Sequence, residues 1–180
     1  MTEVRVFVRS GVASDDRSLL TAAVASAAGC HPSTVTVMQS CANCGSLDHG
    51  APVVESPAGW FVSLSRVGSL VAVAVTDVAA VGLDIESVAA VAAHPVDGVS
   101  SAREWCGKEA VLKACGVGLR VSPELLTFSG DVLELWPESL GLEEAPGVAW
   151  FALSEGVVGA VAVLAAGVPV VAVVALPLVG

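Results

Sequence analysis

Trp60-Phe61-Val62-Ser63-Leu64-Ser65, leading into Ala72-Val73-Ala74-Val75, is echoed at an offset of 90 positions by Trp150-Phe151-Ala152-Leu153-Ser154, leading into Ala160-Val161-Ala162-Val163. Alternation of this kind reads as strands, and the offset is half of the 180-residue chain. A duplicated unit with a pseudo-twofold axis explains the match. Ala/Val alternation also arises by chance in so Val-rich a sequence, so the repeat alone leaves both readings open.

Composition narrows the class. Hydrophobic residues make up 54% and charged residues 14%, with a mean hydropathy of +0.79, which excludes disorder and solvated helical repeats. A chain of this length buries roughly 70% of its unfolded surface and needs no metal or disulfide to hold a core. The 18 acidic against 8 basic residues give a net charge of −10, which argues against a nucleic acid partner. Gly156 to Gly180 carries no charge and is long enough to span a bilayer, but Gly159, Gly167, Pro169 and Pro177 interrupt it. Its Val/Ala pieces read as two buried strands joined at Gly167-Val168-Pro169, so no membrane partner is expected. Five cysteines, an odd number, read as reduced thiols in a cytoplasmic setting. The N-terminus alternates Glu3, Arg5 and Arg9 with Val4, Val6 and Val8, a strand and not a signal peptide.

Along the chain, a strand at Glu3 to Val8 precedes a helix from about Asp15 to Ala28, capped by Ser14 and stopped by Gly29, with Leu19, Leu20 and Val24 buried. Thr34 to Met38 reads as a short strand and Cys41 to Pro57 as a long loop. Phe61 to Leu64 and Leu70 to Val75 form a strand pair around a Ser65-to-Ser69 turn, and Val81 to Glu86 is a further strand. Ser101 and Glu104 form a capping box for a helix that runs to a stop at Gly116.

Two of these elements carry chemistry. On the strand Val81-Gly82-Leu83-Asp84-Ile85-Glu86, the two carboxylates share one face. They repel unless a cation lies between them, and magnesium, with its preference for hard oxygen ligands, satisfies that need. The plainer reading is a solvated edge-strand face. On the following helix, Trp105, Glu109 and Lys113 are spaced four apart and share one face. As an i,i+4 ion pair, Glu109 and Lys113 would contribute only a few tenths of a kcal/mol. However, Lys108 and Lys113 are the only lysines in the chain, and Glu109 offers a third carboxylate for a metal.

The strand motif at 81 to 86, paired with Trp105-Cys106-Gly107-Lys108-Glu109-Ala110-Val111-Leu112-Lys113-Ala114, resembles the two signature motifs of the 4′-phosphopantetheinyl transferases. The closer likeness is to the long, two-halved type that activates peptide and polyketide synthases. Cys41-Ala42-Asn43-Cys44-Gly45 with His49-Gly50-Ala51-Pro52 is similar to the family's loop before the central strands, and Phe61 to Gly68 to its Ser-His-Ser-Gly turn. The resemblance covers about positions 41 to 119. It implies an α+β fold of two similar halves, here 1–82 and 83–180, with the active site between them.

By that resemblance Asp84, Glu86 and Glu109 would hold Mg2+ with the pyrophosphate of coenzyme A. A serine of an acyl or peptidyl carrier protein would attack the β-phosphate, and 3′,5′-adenosine bisphosphate would leave. Lys113 would contact phosphate oxygens with help from Lys108, and Glu109 or a metal-bound water would accept the serine proton, so Glu109, Lys113 and Asp84 form the implied catalytic set. Coenzyme A contacts are implied for Ser65, Arg66, Gly50 and Arg17. The sequence departs from the family in four places. Arg66 replaces the usual histidine, Ala51 replaces a Lys or Arg, the first helix lacks basic residues after Arg17, and only about twenty residues separate Glu86 from the second motif. These departures support an alternative: a diverged, non-transferring member that binds coenzyme A or a carrier protein, or acts on a carrier-bound thioester. A monomer is expected in either case.

Cys41, Cys44 and His49, completed by Cys30 or His31, also fit half of a zinc site, although one such pair is a weak signal. Cys106 reads either as a buried small hydrophobe or as a thiol activated by Lys108. Trp60, Trp136 and Trp150 read as core or groove residues, without an aromatic ladder for nucleic acid.

Overall fold

The computed structural model describes residues 2–10, 16–40, 45, 50–95 and 97–176. Along them run β1 (Glu3–Ser10), α1 (Asp16–Ala28), β2 (Thr36–Ser40), β3 (Ala51–Ser56), β4 (Phe61–Val67), β5 (Leu70–Thr76) and β6 (Val81–Ser87). Then follow α2 (Val88–Ala93), α3 (Ala102–Ala114), β7 (Thr127–Ser129), β8 (Val132–Leu135), β9 (Gly147–Ser154), β10 (Val157–Val163) and β11 (Val170–Ala175). The class is α+β. One sheet has the order β11-β1-β5-β4 and a second β6-β10-β9, with two further hairpins, β2-β3 and β7-β8.

Strand alternation divides the interior into three cores. On β5, Val71, Val73 and Val75 face Leu19, Leu20 and Val24 of α1, whereas Ala72 and Ala74 turn the other way. There they join Val4 and Val6 of β1 against Leu83, Ile85, Val161 and Val163 of β6 and β10, so the two sheets bury their inner faces on each other. The outer face of the second sheet gives Ala160 and Ala162 to a third core with Ala110, Val111 and Leu112 of α3. The division expected at 82/83 therefore falls within β6.

The sheets also meet edge to edge through side chains. The Ser63 hydroxyl on β4 accepts from the Leu83 amide at 3.0 Å, and the Ser65 hydroxyl from the Ile85 amide at 3.3 Å. Two hydroxyls thus replace the carbonyls that a neighbouring strand would offer, and the buried donors of β6 remain satisfied.

Several expectations change. Residues 51–56 of the expected loop form β3, paired antiparallel with β2, because Pro52 and Gly50 punctuate a short strand instead of excluding one. The strand after the single 3₁₀ turn Pro32–Thr34 begins at Thr36, two residues later than expected. Ser65 and Arg66 lie on β4 and not in the turn, which is made by Gly68, at φ +58°, and Ser69. β11 is not buried: it lies at the sheet edge beside β1, with Val170, Val173 and Val174 exposed. No helix among the described residues is long and apolar enough to cross a membrane. The expected Ser14 cap and the zinc candidates Cys41, Cys44 and His49 lie outside the described residues.

Gly82 sets the distance between α3 and β6. A Cβ there would lie 1.8 Å from the Ala110 carbonyl oxygen and 2.5 Å from the Ala114 amide nitrogen. Both obstacles are backbone, so relief requires moving the helix. Gly82→Ala is expected to lower unfolding free energy by about 3 kcal/mol or more in urea denaturation; a loss below about 1 kcal/mol would show that the helix relaxes freely.

Candidate functional site

Close contact at Gly82 brings α3 over the β6 face that carries Asp84 and Glu86. Asp84 is 3% exposed. Its Oδ1 accepts from the Ser65 hydroxyl at 2.9 Å and from Lys113 Nζ at 2.6 Å, and Lys113 also lies 3.6 Å from Glu109 Oε2. The lysine ammonium therefore sits between two of the three expected carboxylates. Among the described residues, no hydrogen-bond partner meets the buried Asp84 Oδ2.

The third carboxylate belongs to the same electrostatic cluster. Burial raises the Glu86 carboxyl above its ordinary range, and the charges of Asp84 and Glu109 add to this, against a hydrogen bond from Trp105 and the charge of Lys113. Burial likewise raises Glu109, with Lys113 opposing and Asp84 reinforcing the shift. The strand face and the helix face expected from the spacing thus converge. Among the described residues, however, no three His, Cys, Asp or Glu side chains form a ready-made metal-ligand set. The residues still suit a hard cation, because the donor set is all carboxylate and one buried Asp84 oxygen lacks a donor among the described residues.

A cleft of about 560 Å³ adjoins this cluster, walled by Gly50, Ala51 and Ser63 on one side and by Lys113, Gly118 and Arg120 on the other. Lys113 is common to cleft and cluster. Of the residues expected to contact coenzyme A, Gly50 and Lys113 line the cleft. Arg66 pairs with Asp16 at the start of α1, and Arg17 is exposed on that helix. Ser65 is buried, with its hydroxyl engaged by Asp84 and Ile85, so it positions a carboxylate.

Lys108 departs most from expectation. It is 2% exposed, and its ammonium meets Glu104 Oε1 at 2.8 Å and the Gly98 carbonyl at 2.6 Å. It anchors the segment before α3 and is not among the cleft-lining residues. The helix start is also modified. The Ser101 hydroxyl accepts from the Glu104 amide as expected, but the Glu104 carboxylate reaches back to the amide and hydroxyl of Ser100. Cys106 is fully buried, and burial together with the charges of Asp84 and Glu86 pushes its thiol far up, so it packs as a small hydrophobe. Trp150 covers Gly107, where a Cβ would lie 2.9 Å from the indole, and donates to the Arg103 carbonyl at 2.9 Å.

Comparison with models of known protein families and with characterised proteins finds no match.

Sequence reasoning missed Ser63 and the segment 116–120. Ser63 looked like one more strand residue, although paired serines on a Val/Leu strand are a signal for hydroxyl pairing. Arg120 carried a signal as well, being one of only six arginines and following the motif helix closely.

Burial would raise the Glu104 carboxyl, but hydrogen bonds from Lys108 and Ser100 outweigh it and lower the carboxyl below its ordinary 4.5. A lowered folded-state value contributes stability above the unfolded value, and that contribution is lost as pH falls through the folded one. Glu104→Gln is therefore expected to cost about 2 kcal/mol at pH 7, with the difference from wild type shrinking below pH 4.5. Urea denaturation across pH checks this; a pH-independent difference would assign Glu104 a steric role.

Proposed function

We propose that this chain transfers the 4′-phosphopantetheine group of coenzyme A to a serine of an acyl or peptidyl carrier protein, with magnesium as cofactor. The observation that carries the reading is the cluster of Asp84, Glu86, Glu109 and Lys113, whose lysine also lines a cleft. The proposal extends to a pseudo-twofold relation between the halves. Its support is the similar element order: strand, helix, hairpin and two strands, with the short α2 added before α3 in the second half, and β1-β5-β4 in one sheet against β6-β10-β9 in the other.

In this reading Asp84, Glu86 and Glu109 would hold the magnesium, which would supply neutralisation of charge on the β-phosphate. The chain's own groups do the rest. Ser65 fixes the Asp84 carboxylate through Oδ1. Lys113 exchanges its carboxylate contacts for oxygens of the departing phosphate, which gain negative charge as the bridging P–O bond breaks. Glu109, which reaches the cluster from α3 beside Lys113, accepts the proton of the carrier serine. The serine oxygen forms a bond to the β-phosphorus, the bond to the adenylyl side breaks, and 3′,5′-adenosine bisphosphate leaves.

Incubating the protein with coenzyme A, magnesium and apo carrier proteins is expected to add one phosphopantetheine to a carrier serine, read by mass spectrometry. Asp84→Asn and Glu109→Gln are each expected to slow transfer at least about a hundredfold. Binding of coenzyme A without transfer to any carrier would instead favour the diverged, non-transferring member. The ion pair with Asp84 also gives Lys113 a structural share larger than an exposed helix pair, so activity losses at this position need a melting temperature beside them.

A further inference from the structure

The cleft has a charge pattern unlike that of the chain. The protein carries 18 acidic and 8 basic residues, yet the charged side chains lining the cleft are Lys113 and Arg120, both cationic, with no carboxylate among the described residues. In so acidic a chain, such a cavity suits an anion. The two cations differ in their ties. Lys113 belongs to the carboxylate cluster through Asp84 and Glu109. Arg120 has no carboxylate partner among the described residues. Its Nε donates to the Val117 carbonyl at 3.0 Å and its Nη2 to the Gly116 carbonyl at 2.8 Å. Those bonds orient the guanidinium and leave donors of its five N–H groups for a ligand. Gly116 and Gly118, both at positive φ, add no side chain of their own to this wall, which Val117 and Leu119 share with the arginine.

We infer that Arg120 binds the 3′-phosphate of coenzyme A and sets the preference for coenzyme A over its 3′-dephospho form. The inference rests on the transferase reading and deepens it. Coenzyme A has two separate anionic centres, a pyrophosphate and a ribose phosphomonoester. The pyrophosphate belongs with the carboxylate cluster and Lys113, where a cation would bridge it. The monoester then needs a second, independent cation in the same cleft, and Arg120 is that group. Ala51, on the opposite wall, supplies no charge. A guanidinium fork matches a phosphomonoester in two parallel hydrogen bonds, which an ammonium cannot reproduce.

The test is calorimetric titration of the full chain with coenzyme A and with 3′-dephospho-coenzyme A in magnesium-containing buffer. Wild type is expected to bind coenzyme A at least about tenfold more tightly. Arg120→Gln retains an amide donor for the Gly116 and Val117 carbonyls but removes the charge. It is expected to weaken coenzyme A about tenfold to a hundredfold while changing 3′-dephospho-coenzyme A by less than about threefold, with Arg120→Lys recovering part of the preference. A merely structural arginine would weaken both ligands equally, and that result overturns the inference. So does a wild type that binds the two ligands alike, a measurement that needs no variant and leaves the transferase reading standing. Failure of wild type to bind either ligand overturns both.

Discussion

Everything at the candidate site depends on the contact between the backbone of α3 and Gly82. A strand and a helix normally keep a side chain's width between them. Here the Ala110 carbonyl lies where a methyl group would be, and that proximity brings Lys113 within 2.6 Å of a carboxylate on the strand. The small residues Ala110, Ala114, Ala160 and Ala162 extend the same economy of volume along the interface. With larger side chains the helix would ride higher, and Glu109 would no longer share an electrostatic environment with Asp84 and Glu86.

Electrostatics in this interior are resolved by pairing. Asp84 is buried beside two other carboxylates, a costly arrangement in a medium that screens poorly. Lys113 and the Ser65 hydroxyl offset part of that cost at one oxygen of Asp84, and the other oxygen has no donor among the described residues. Lys108 solves a different problem with the same chemistry, since its buried charge is matched by Glu104 and the Gly98 carbonyl. The two lysines sit five positions apart on one helix, and one faces the cluster while the other ties down the helix start.

Much of this was legible in the sequence. Period-two alternation placed β1, β4, β5 and β6, and four-residue spacing placed Trp105, Glu109 and Lys113 on the face that meets Asp84 and Glu86. Position along the chain was less legible than periodicity. Pro52 and Gly50 made β3 look like a loop, although an edge strand tolerates proline where its amide faces away from the partner. The Val/Ala run of β11 looked buried because composition cannot tell a central strand from an edge. Lys108 and Arg66 looked like ligand contacts because they are scarce cations in an acidic chain. In the structure the lysine meets Glu104 and the arginine pairs with Asp16, partners that the sequence did not point to. Arg120 stood outside any motif, and the cleft gives a meaning to its place just after the motif helix.

The parallel pairing of β1 with β11, in register from Glu3 against Val170 to Val8 against Ala175, has a consequence for how the chain reaches this structure. β4 and β5 form a local hairpin that joins β1 across 60 to 70 residues, but the other edge of β1 must wait for a partner more than 160 residues away. A ribosome releases that partner after every other described strand. Throughout synthesis, then, a Val-rich first strand presents an open row of backbone donors and acceptors to its surroundings. Closing so long a loop is slow relative to local pairing, which makes the nascent first sheet the stage of folding most exposed to wrong partners.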